Sequence, residues 1–275
     1  MQISQPAPAK INLALHITDQ RQDGMHLLDS LVAFAAYGDH VTVEKQSHLS
    51  LDIHGEMAAD LPVDDDNLVL RAARLMGVLG AKITLEKNLP IASGIGGGSS
   101  DAAAVMRALS MLWDKPIPTD QLVKLGADIP VCIEMLPARM RGVGEELDVI
   151  QTMPRFHAVL VNPNIGVSTA QVFNRITSKQ NAPLEDVPDK PDYQTWLNYL
   201  QAQRNDMQDA AIALCPAISK ILEKLSDADL ARMSGSGATC FGIYKDADQA
   251  AIAAERIKDA HPEWWVMPTI LNASD

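Results

Sequence analysis

A chain that carries Pro90-Ile91-Ala92-Ser93-Gly94-Ile95-Gly96-Gly97-Gly98-Ser99-Ser100-Asp101 has few ways to arrange that segment. Four glycines in five positions leave the backbone free to curl with its N–H groups turned inward, a geometry suited to phosphate oxygens. A helix is expected at once afterwards, because Ala102, Val105, Met106, Leu109, Leu112 and Trp113 recur at helical spacing. Its open N-terminus adds free N–H groups and the positive end of the helix dipole at the same spot. No Lys follows the last glycine, so the run is not a Walker A loop, and Ser99 stands where a dinucleotide fingerprint has its third glycine. Two readings of these residues stay open: an anion cradle, and a plain connector from strand to helix.

At 275 residues and 47% hydrophobic content, the chain can bury one large core or two moderate ones. No stretch approaches the roughly 20 apolar residues of a membrane span. Met1-Gln2-Ile3-Ser4-Gln5-Pro6 lacks the basic and apolar regions of a signal peptide. Cys132, Cys215 and Cys240 are far apart, odd in number and without metal-ligand spacing, so they read as buried thiols of a reducing compartment. The expected location is the cytoplasm. A net charge of −12 argues against general nucleic-acid binding. It also requires any polyphosphate site to gather its donors locally, as a glycine loop does with backbone dipoles. Asp64-Asp65-Asp66 reads as a solvated acidic turn ahead of a helix at Asn67 rather than as a metal site.

Ile11, Leu13, Leu15 and Ile17 alternate, which predicts a half-buried strand with Lys10, Asn12, Ala14 and His16 on its other face. That polar row is either the start of a polar site or a solvent-facing surface. Asp19 to Gly24 reads as a turn, and Met25-His26 opens an apolar run to Tyr37. Val41/Val43 and Leu49/Leu51/Ile53 are expected to form an antiparallel hairpin. Helical spacing covers 67–79, and Ile83 and Leu85 mark a short strand. Thr119 is expected to cap a short helix that stops at Gly126, and Pro130 disfavours continued helix. The pattern restarts near Met153-Pro154, which divides the chain into 1–153 and 154–275. A strand over 158–161, a helix over 168–175 and a Pro-rich loop over 177–192 follow. Helices are expected over 193–203, 206–213 and 217–225. Ser234-Gly235-Ser236-Gly237-Ala238 is a second tight loop, leading to a strand over 239–244, a helix over 247–260 and a last strand near Trp265. Strands and helices mix without βαβ alternation, which argues for an α+β fold in two domains.

Three separated segments together resemble the GHMP small-molecule kinases, in that family's order and spacing. They are Pro8-Ala9-Lys10-Ile11-Asn12-Leu13, Pro90 to Ser100, and Ser234 to Ala238. Asp23-Gly24-Met25-His26, Asp66-Asn67-Leu68, Gly126-Ala127-Asp128-Ile129-Pro130 and Arg141-Gly142-Val143-Gly144-Glu145 narrow the resemblance to one branch, over about Pro8 to Tyr244. That branch phosphorylates the 2-hydroxyl of a cytidine diphosphate-linked methylerythritol in non-mevalonate isoprenoid precursor biosynthesis. The resemblance implies a ribosomal-protein-S5-like α+β domain over 1–153 and a ferredoxin-like α+β domain over 154–275. It implies ATP as phosphoryl donor, held by Pro90, Ile91, Ala92, Ser93, Gly94, Ile95, Gly96, Gly97, Gly98, Ser99 and Ser100, with Asn67 and Lys87 along the adenine end. Lys10 and Asp128 match the catalytic pair. Asn12, Met25, His26, Thr169 and Phe173 match the substrate pocket, and the loop 234–238 would close against the phosphate site. Mg²⁺ is expected with ATP, because it neutralises the phosphates, although the sequence names no protein ligand for it. A small-molecule substrate is implied, and neither nucleic acid nor membrane.

The residue types suit that chemistry. Phosphoryl transfer depends on positioning and charge neutralisation. Asp128 can accept or orient the proton of the acceptor hydroxyl, while Lys10 offsets negative charge as the phosphoryl moves. An ammonium beside a carboxylate weakens it as a base, so both roles stay open. Taken alone, Asp128 also reads as a turn residue bonding local backbone N–H groups, and His26 as a capping or core histidine. One departure concerns position 25, where the family places an aromatic ring against cytosine. Met25 offers a polarizable sulfur over less area, with Phe173 to supply the other face. Two alternatives compete. A related kinase acting on homoserine or mevalonate is opposed by Asp23-Gly24-Met25-His26, and a non-catalytic binding protein is opposed by the intact Lys10, Asp128 and glycine loop.

Overall fold

The structure, a computed structural model, describes residues 1–59, 61–64 and 66–273. The chain opens with β1 (Gln2–Gln20), β2 (His26–Lys45) and β3 (Ser50–His54), followed by α1 (Leu68–Leu75), β4 (Ala81–Glu86) and α2 (Gly97–Trp113). Short helices α3 (Leu122–Leu125) and α4 (Ile129–Glu134) lead to β5 (Ala138–Gly142) and β6 (Glu146–Val149). Then come β7 (Phe156–Asn162), α5 (Thr169–Arg175), α6 (Tyr193–Ala202), α7 (Gln208–Leu214) and α8 (Ala217–Lys224). The last elements are β8 (Leu230–Met233), β9 (Cys240–Tyr244), α9 (Ala247–Ala260) and β10 (Trp265–Leu271). The chain forms two units, one from Met1–Lys10, Tyr37–Ile91 and Gly96–Met135, the other from Ile11–Ala36, Ala92–Ile95 and Leu136–Asp275.

In the first unit the second half of β2 pairs antiparallel with β4, from His40 opposite Glu86 to Lys45 opposite Ala81. The other edge of β4 pairs in parallel with β3, Leu51 opposite Ile83 and Ile53 opposite Leu85. The hairpin expected between 41–43 and 49–53 therefore does not form. As the middle strand, β4 buries Ile83 and Leu85 with strands on both sides. Helix α2 turns Ala102, Ala104, Val105, Met106, Leu109 and Leu112 into this core, together with Val69, Leu70, Ala72 and Ala73 of α1. Asn67 begins α1 as its N-cap, Oδ1 accepting from Val69 N at 2.9 Å. Ahead of it, Asp64 Oδ1 accepts from Asp66 N at 3.1 Å, and Asp65 lies outside the described residues. Pro130 lies in the first turn of α4 instead of ending a helix, since an N–H there would have no helical acceptor to lose.

The second unit orders its strands β10-β7-β9-β8, antiparallel throughout, while the hairpin of β5 and β6 pairs with the first half of β2. Helices cover these strands through Val172, Ala211, Ile218, Ile221 and Ile257, packed with Val159 and Val161. The three cysteines are buried and free. Among the described residues no helix is long and apolar enough to cross a membrane.

β1 differs most from its expected form. Lys10, Asn12, Ala14 and His16, read as the outer face of a half-buried strand, are 4%, 3%, 0% and 1% exposed. From Ala9 to Ile17 the strand is enclosed on both faces, so each polar side chain in that stretch must find a partner inside the protein.

Candidate active site

Lys10 finds Asp128. Its Nζ lies 2.8 Å from Asp128 Oδ2, with the lysine side chain 5% exposed and the aspartate 34%. Asp128 is the N-cap residue of α4, but its backbone is in the right-handed helical region and its side chain makes no cap hydrogen bond. The carboxylate is left to the ammonium, which removes the turn-residue reading of Asp128.

The glycine run reaches Lys10 through Gly96. This residue has φ +64°, and a Cβ on it would meet Lys10 Cβ and Cε at 3.2 Å. α2 starts at the next residue, with no side chain capping it. Ser100 N is the first to donate within the helix, to Gly96 O at 2.8 Å, which leaves the N–H groups of Gly97, Gly98 and Ser99 without helical partners. Ser100 Oγ donates to Pro8 O at 2.6 Å and ties this end of the helix to β1 just before Lys10. A Cβ on Gly98 would meet nothing within 4 Å. Unpaired donors, the helix dipole and open space coincide there, which is what an anion requires. Along the loop Pro90, Ser93, Ile95 and Ser100 are buried anchors, while Ile91, Ala92 and Gly98 are exposed.

Lys87 lies beneath this turn. Its buried ammonium is held by Asp39 and, at 2.9 Å, by Asp101. Burial lowers the lysine's tendency to stay charged, but Asp101 and Asp39 beside it outweigh that and raise its pKa. Asn67 is similarly engaged, with Nδ2 donating to Pro62 O at 2.7 Å. Both side chains are thus held by partners inside the protein.

In the second unit, Asn12 Nδ2 donates to Ser30 Oγ at 2.8 Å, and Ser30 Oγ to Ala14 O at 2.8 Å. Asn12 N donates to Ser234 Oγ at 3.0 Å, and Ser234 Oγ to Gly94 O at 2.9 Å. The loop 234–237 meets residue 94 backbone to backbone: a Cβ on Gly94 would lie 2.5 Å from Ser234 O, and one on Gly235 2.6 Å from Gly94 O. Only glycine permits that approach from φ +75° and +53°. Asn205 Nδ2 holds the loop from behind, donating to Met233 O at 2.8 Å and Gly235 O at 2.9 Å. Thr169 Oγ1 and Ser236 Oγ are 2.8 Å apart.

His26 and Phe173 stack, with centroids 4.5 Å apart and planes inclined by 16°. One face of Phe173 is therefore covered by the imidazole. Burial, aided by the charge of Lys179, lowers the pKa of His26 and keeps the ring neutral near pH 7. Its Nε2 is buried without a hydrogen-bond partner among the described residues, and so is Asn12 Oδ1. Met25 beside them is 49% exposed.

Lys10, Asp128 and Gly96–Ser100 are brought together in one unit, and Asn12, His26, Phe173, Thr169 and residues 234–237 belong to the other. The donors at the start of α2 are N–H groups and, nearby, an ammonium, a set that suits phosphate oxygens and not a protein-held cation. Among the described residues no three acidic, His or Cys side chains gather as metal ligands. Sequence reading missed Asp39, Asp101, Ser30 and Asn205. Asp101 alone carried a local signal, since it directly follows the loop.

Comparison with known proteins identifies the family. The model of the GHMP kinases N terminal domain matches residues 67–135, and that of the GHMP kinases C terminal region matches 189–263. A curated 4-diphosphocytidyl-2-C-methyl-D-erythritol kinase of Cereibacter sphaeroides is 52% identical over 268 residues, covering 95% of this chain and 96% of that protein. Its counterpart in Ruegeria pomeroyi is 50% identical over 275 residues, covering 96% and 98%. A crystal structure of 4-(cytidine 5'-diphospho)-2C-methyl-D-erythritol kinase superposes with TM-score 0.80 at 30% identity, covering 99% of this chain and all of that one (100%). Homoserine kinase from Cytophaga hutchinsonii, 16% identical with TM-score 0.65, shares the fold, covering 98% of this chain and 95% of its own.

Proposed function

The chain belongs to the GHMP kinases, and we propose that it transfers the γ-phosphoryl group of ATP to the 2-hydroxyl of 4-diphosphocytidyl-2-C-methyl-D-erythritol. The observation that carries this reading is the 2.8 Å pair of Lys10 and Asp128 in the same unit as the uncapped start of α2. The substrate follows from relatives of that name at about half identity over nearly the whole chain.

In this reading the N–H groups of Gly97, Gly98 and Ser99 bind the phosphates of ATP, and the helix dipole adds to their attraction. Asp128 orients the acceptor hydroxyl and takes its proton as the new P–O bond forms. Lys10 holds Asp128 in place and offsets charge on the transferring group. A Mg²⁺ ion bound to the nucleotide would supply neutralisation of the phosphate charge. His26 Nε2 and Asn12 Oδ1 are buried polar atoms in want of partners, and a polar substrate would satisfy them. Thr169 and Phe173 complete the substrate residues, and Met25 lies against the cytosine ring. The three buried thiols suit a reducing cytoplasm.

The test is ADP release with the cytidine-linked alcohol, homoserine and mevalonate offered separately. Turnover confined to the first supports the reading. Turnover with either of the others, and none with the first, overturns it.

A further inference from the structure

Behind the glycine turn, two carboxylates and one ammonium are sealed from solvent. Asp39, Lys87 and Asp101 have side-chain exposures of 0%, 3% and 4%. With both acids ionised the cluster would carry one excess negative charge in a low-dielectric interior, an arrangement with a high desolvation cost. The two acids are not equivalent. Asp39 Oδ1 accepts from the backbone N–H groups of Asn88 and Leu89, at 2.5 and 2.8 Å, and Oδ2 accepts from Lys87. Among the described residues, Asp101 Oδ2 accepts from Lys87 alone, and its Oδ1 is buried without a partner. Three donors stabilise the charge on Asp39, but only one stabilises it on Asp101.

The cluster also touches the nucleotide loop. A Cβ on Gly97, the first residue of α2, would lie 3.2 Å from Lys87 Nζ. Any net charge on the cluster therefore acts directly on the N–H groups offered to phosphate.

We propose that Asp101 is a proton-bearing carboxylic acid in the working enzyme, and that this proton keeps the cluster behind Gly97 neutral and so sets the loop's affinity for the nucleotide triphosphate. Asp101 works through Lys87 and the field at the loop, and is a positioning residue rather than a catalytic one. The inference rests on the nucleotide reading of the loop. Burial is the largest cause that raises the Asp101 pKa, to about 8, with Lys87 opposing it and Asp39 adding to it. Lys87 and Asp39 are the charged groups that face Asp101. On the neighbouring β1 and α4, Lys10 and Asp128 pair with each other, Arg107 of α2 donates to the backbone of Cys132 and Pro6, and Arg71 and Arg74 of α1 are exposed.

The sign follows directly. Nucleotide binding brings negative charge and favours the protonated acid, so affinity is full below the Asp101 pKa and falls as pH rises through it, the proton leaving to solvent. One uncompensated charge acting over about 10 Å at an effective dielectric near 20 corresponds to a roughly tenfold weakening.

The experiment is calorimetric binding of ATP with Mg²⁺, without acceptor, on the full chain from about pH 7.5 to about pH 9.5. The expected result is a roughly tenfold rise in Kd for the native protein and a flat profile for Asp101→Asn, whose amide is permanently neutral. A flat native profile, or the same rise in both proteins, overturns the proposal. Should Asp101→Asn fail to fold, the native protein suffices. Binding near pH 8.5 in two buffers of different ionisation enthalpy should show net proton uptake, and none overturns the proposal. If the native protein bound no nucleotide at any pH, the failure would lie with the loop reading instead.

Discussion

Lys10 draws the Asp128 carboxylate to 2.8 Å, although Asp128 stands at the N-cap of α4, where the same carboxylate could bond the helix's free N–H groups. A cap bond of that kind contributes about 1 kcal/mol. The chain forgoes it. Local stability gives way to a charged pair that phosphoryl transfer can use, a pattern expected at functional sites.

Asp128→Asn should therefore fold and bind ATP normally while turnover falls by roughly 10²–10⁴. Steady-state kinetics beside a thermal melt measures both. Near-native turnover in a folded variant would make Asp128 structural.

Gly97→Val should lose nucleotide affinity with a smaller effect on the fold. The reason is contact rather than backbone angle. Gly97 is helical, but its Cβ would press on Lys87 Nζ at 3.2 Å, whereas positive φ belongs to Gly94 and Gly96. Calorimetry with ATP, compared with the melting temperature, tests this, and unchanged affinity would leave the loop a connector.

Met25→Tyr should improve kcat/KM for the cytidine substrate relative to its uridine analogue and leave KM for ATP unchanged. A flat ring there adds about 0.5–1.5 kcal/mol, up to a tenfold effect. Met25 is half exposed, which leaves room for the larger side chain. If Met25→Tyr and Met25→Ala both leave substrate affinity untouched, residue 25 does not face the base.

Arg139→Ala should lower stability by about 3 kcal/mol through loss of a largely buried pair. Arg139 grips Asp29 with two bonds, Nε to Oδ1 at 2.8 Å and Nη2 to Oδ2 at 2.7 Å. The truncation leaves the Asp29 carboxylate buried with Leu184 N, at 2.9 Å, as a remaining donor. Urea denaturation measures the loss, and a change under about 0.5 kcal/mol would refute it.

Features set by local chemistry could be read from the sequence. Gly94, Gly96 and Gly235 show positive φ or a backbone approach that only glycine allows, and the helices over 169–175 and 247–260 stand where expected, whereas Thr119 starts a 3₁₀ turn over 119–121 without capping it. What depended on distant partners could not. Alternation leaves the row of Lys10, Asn12 and His16 open between a polar site and a solvent-facing surface, because Asp128, Ser30 and Ala182, which receive them, lie on other segments of the chain. The insertion of β4 between β2 and β3 is invisible to alternation, which reports a strand's faces but not its neighbour. The Asp39–Lys87–Asp101 cluster escapes for the same reason, and Pro130, which disfavours continued helix, instead lies in the first turn of one.

Single-turnover transfer of labelled phosphate from ATP to 4-diphosphocytidyl-2-C-methyl-D-erythritol, with the product's phosphorus–carbon coupling read by NMR, tests the central claim most directly. The expected result is phosphate on the 2-hydroxyl, formed by the native protein and lost by two or more orders of magnitude in Asp128→Asn. A folded, nucleotide-bound native protein that leaves the 2-hydroxyl unphosphorylated would contradict it.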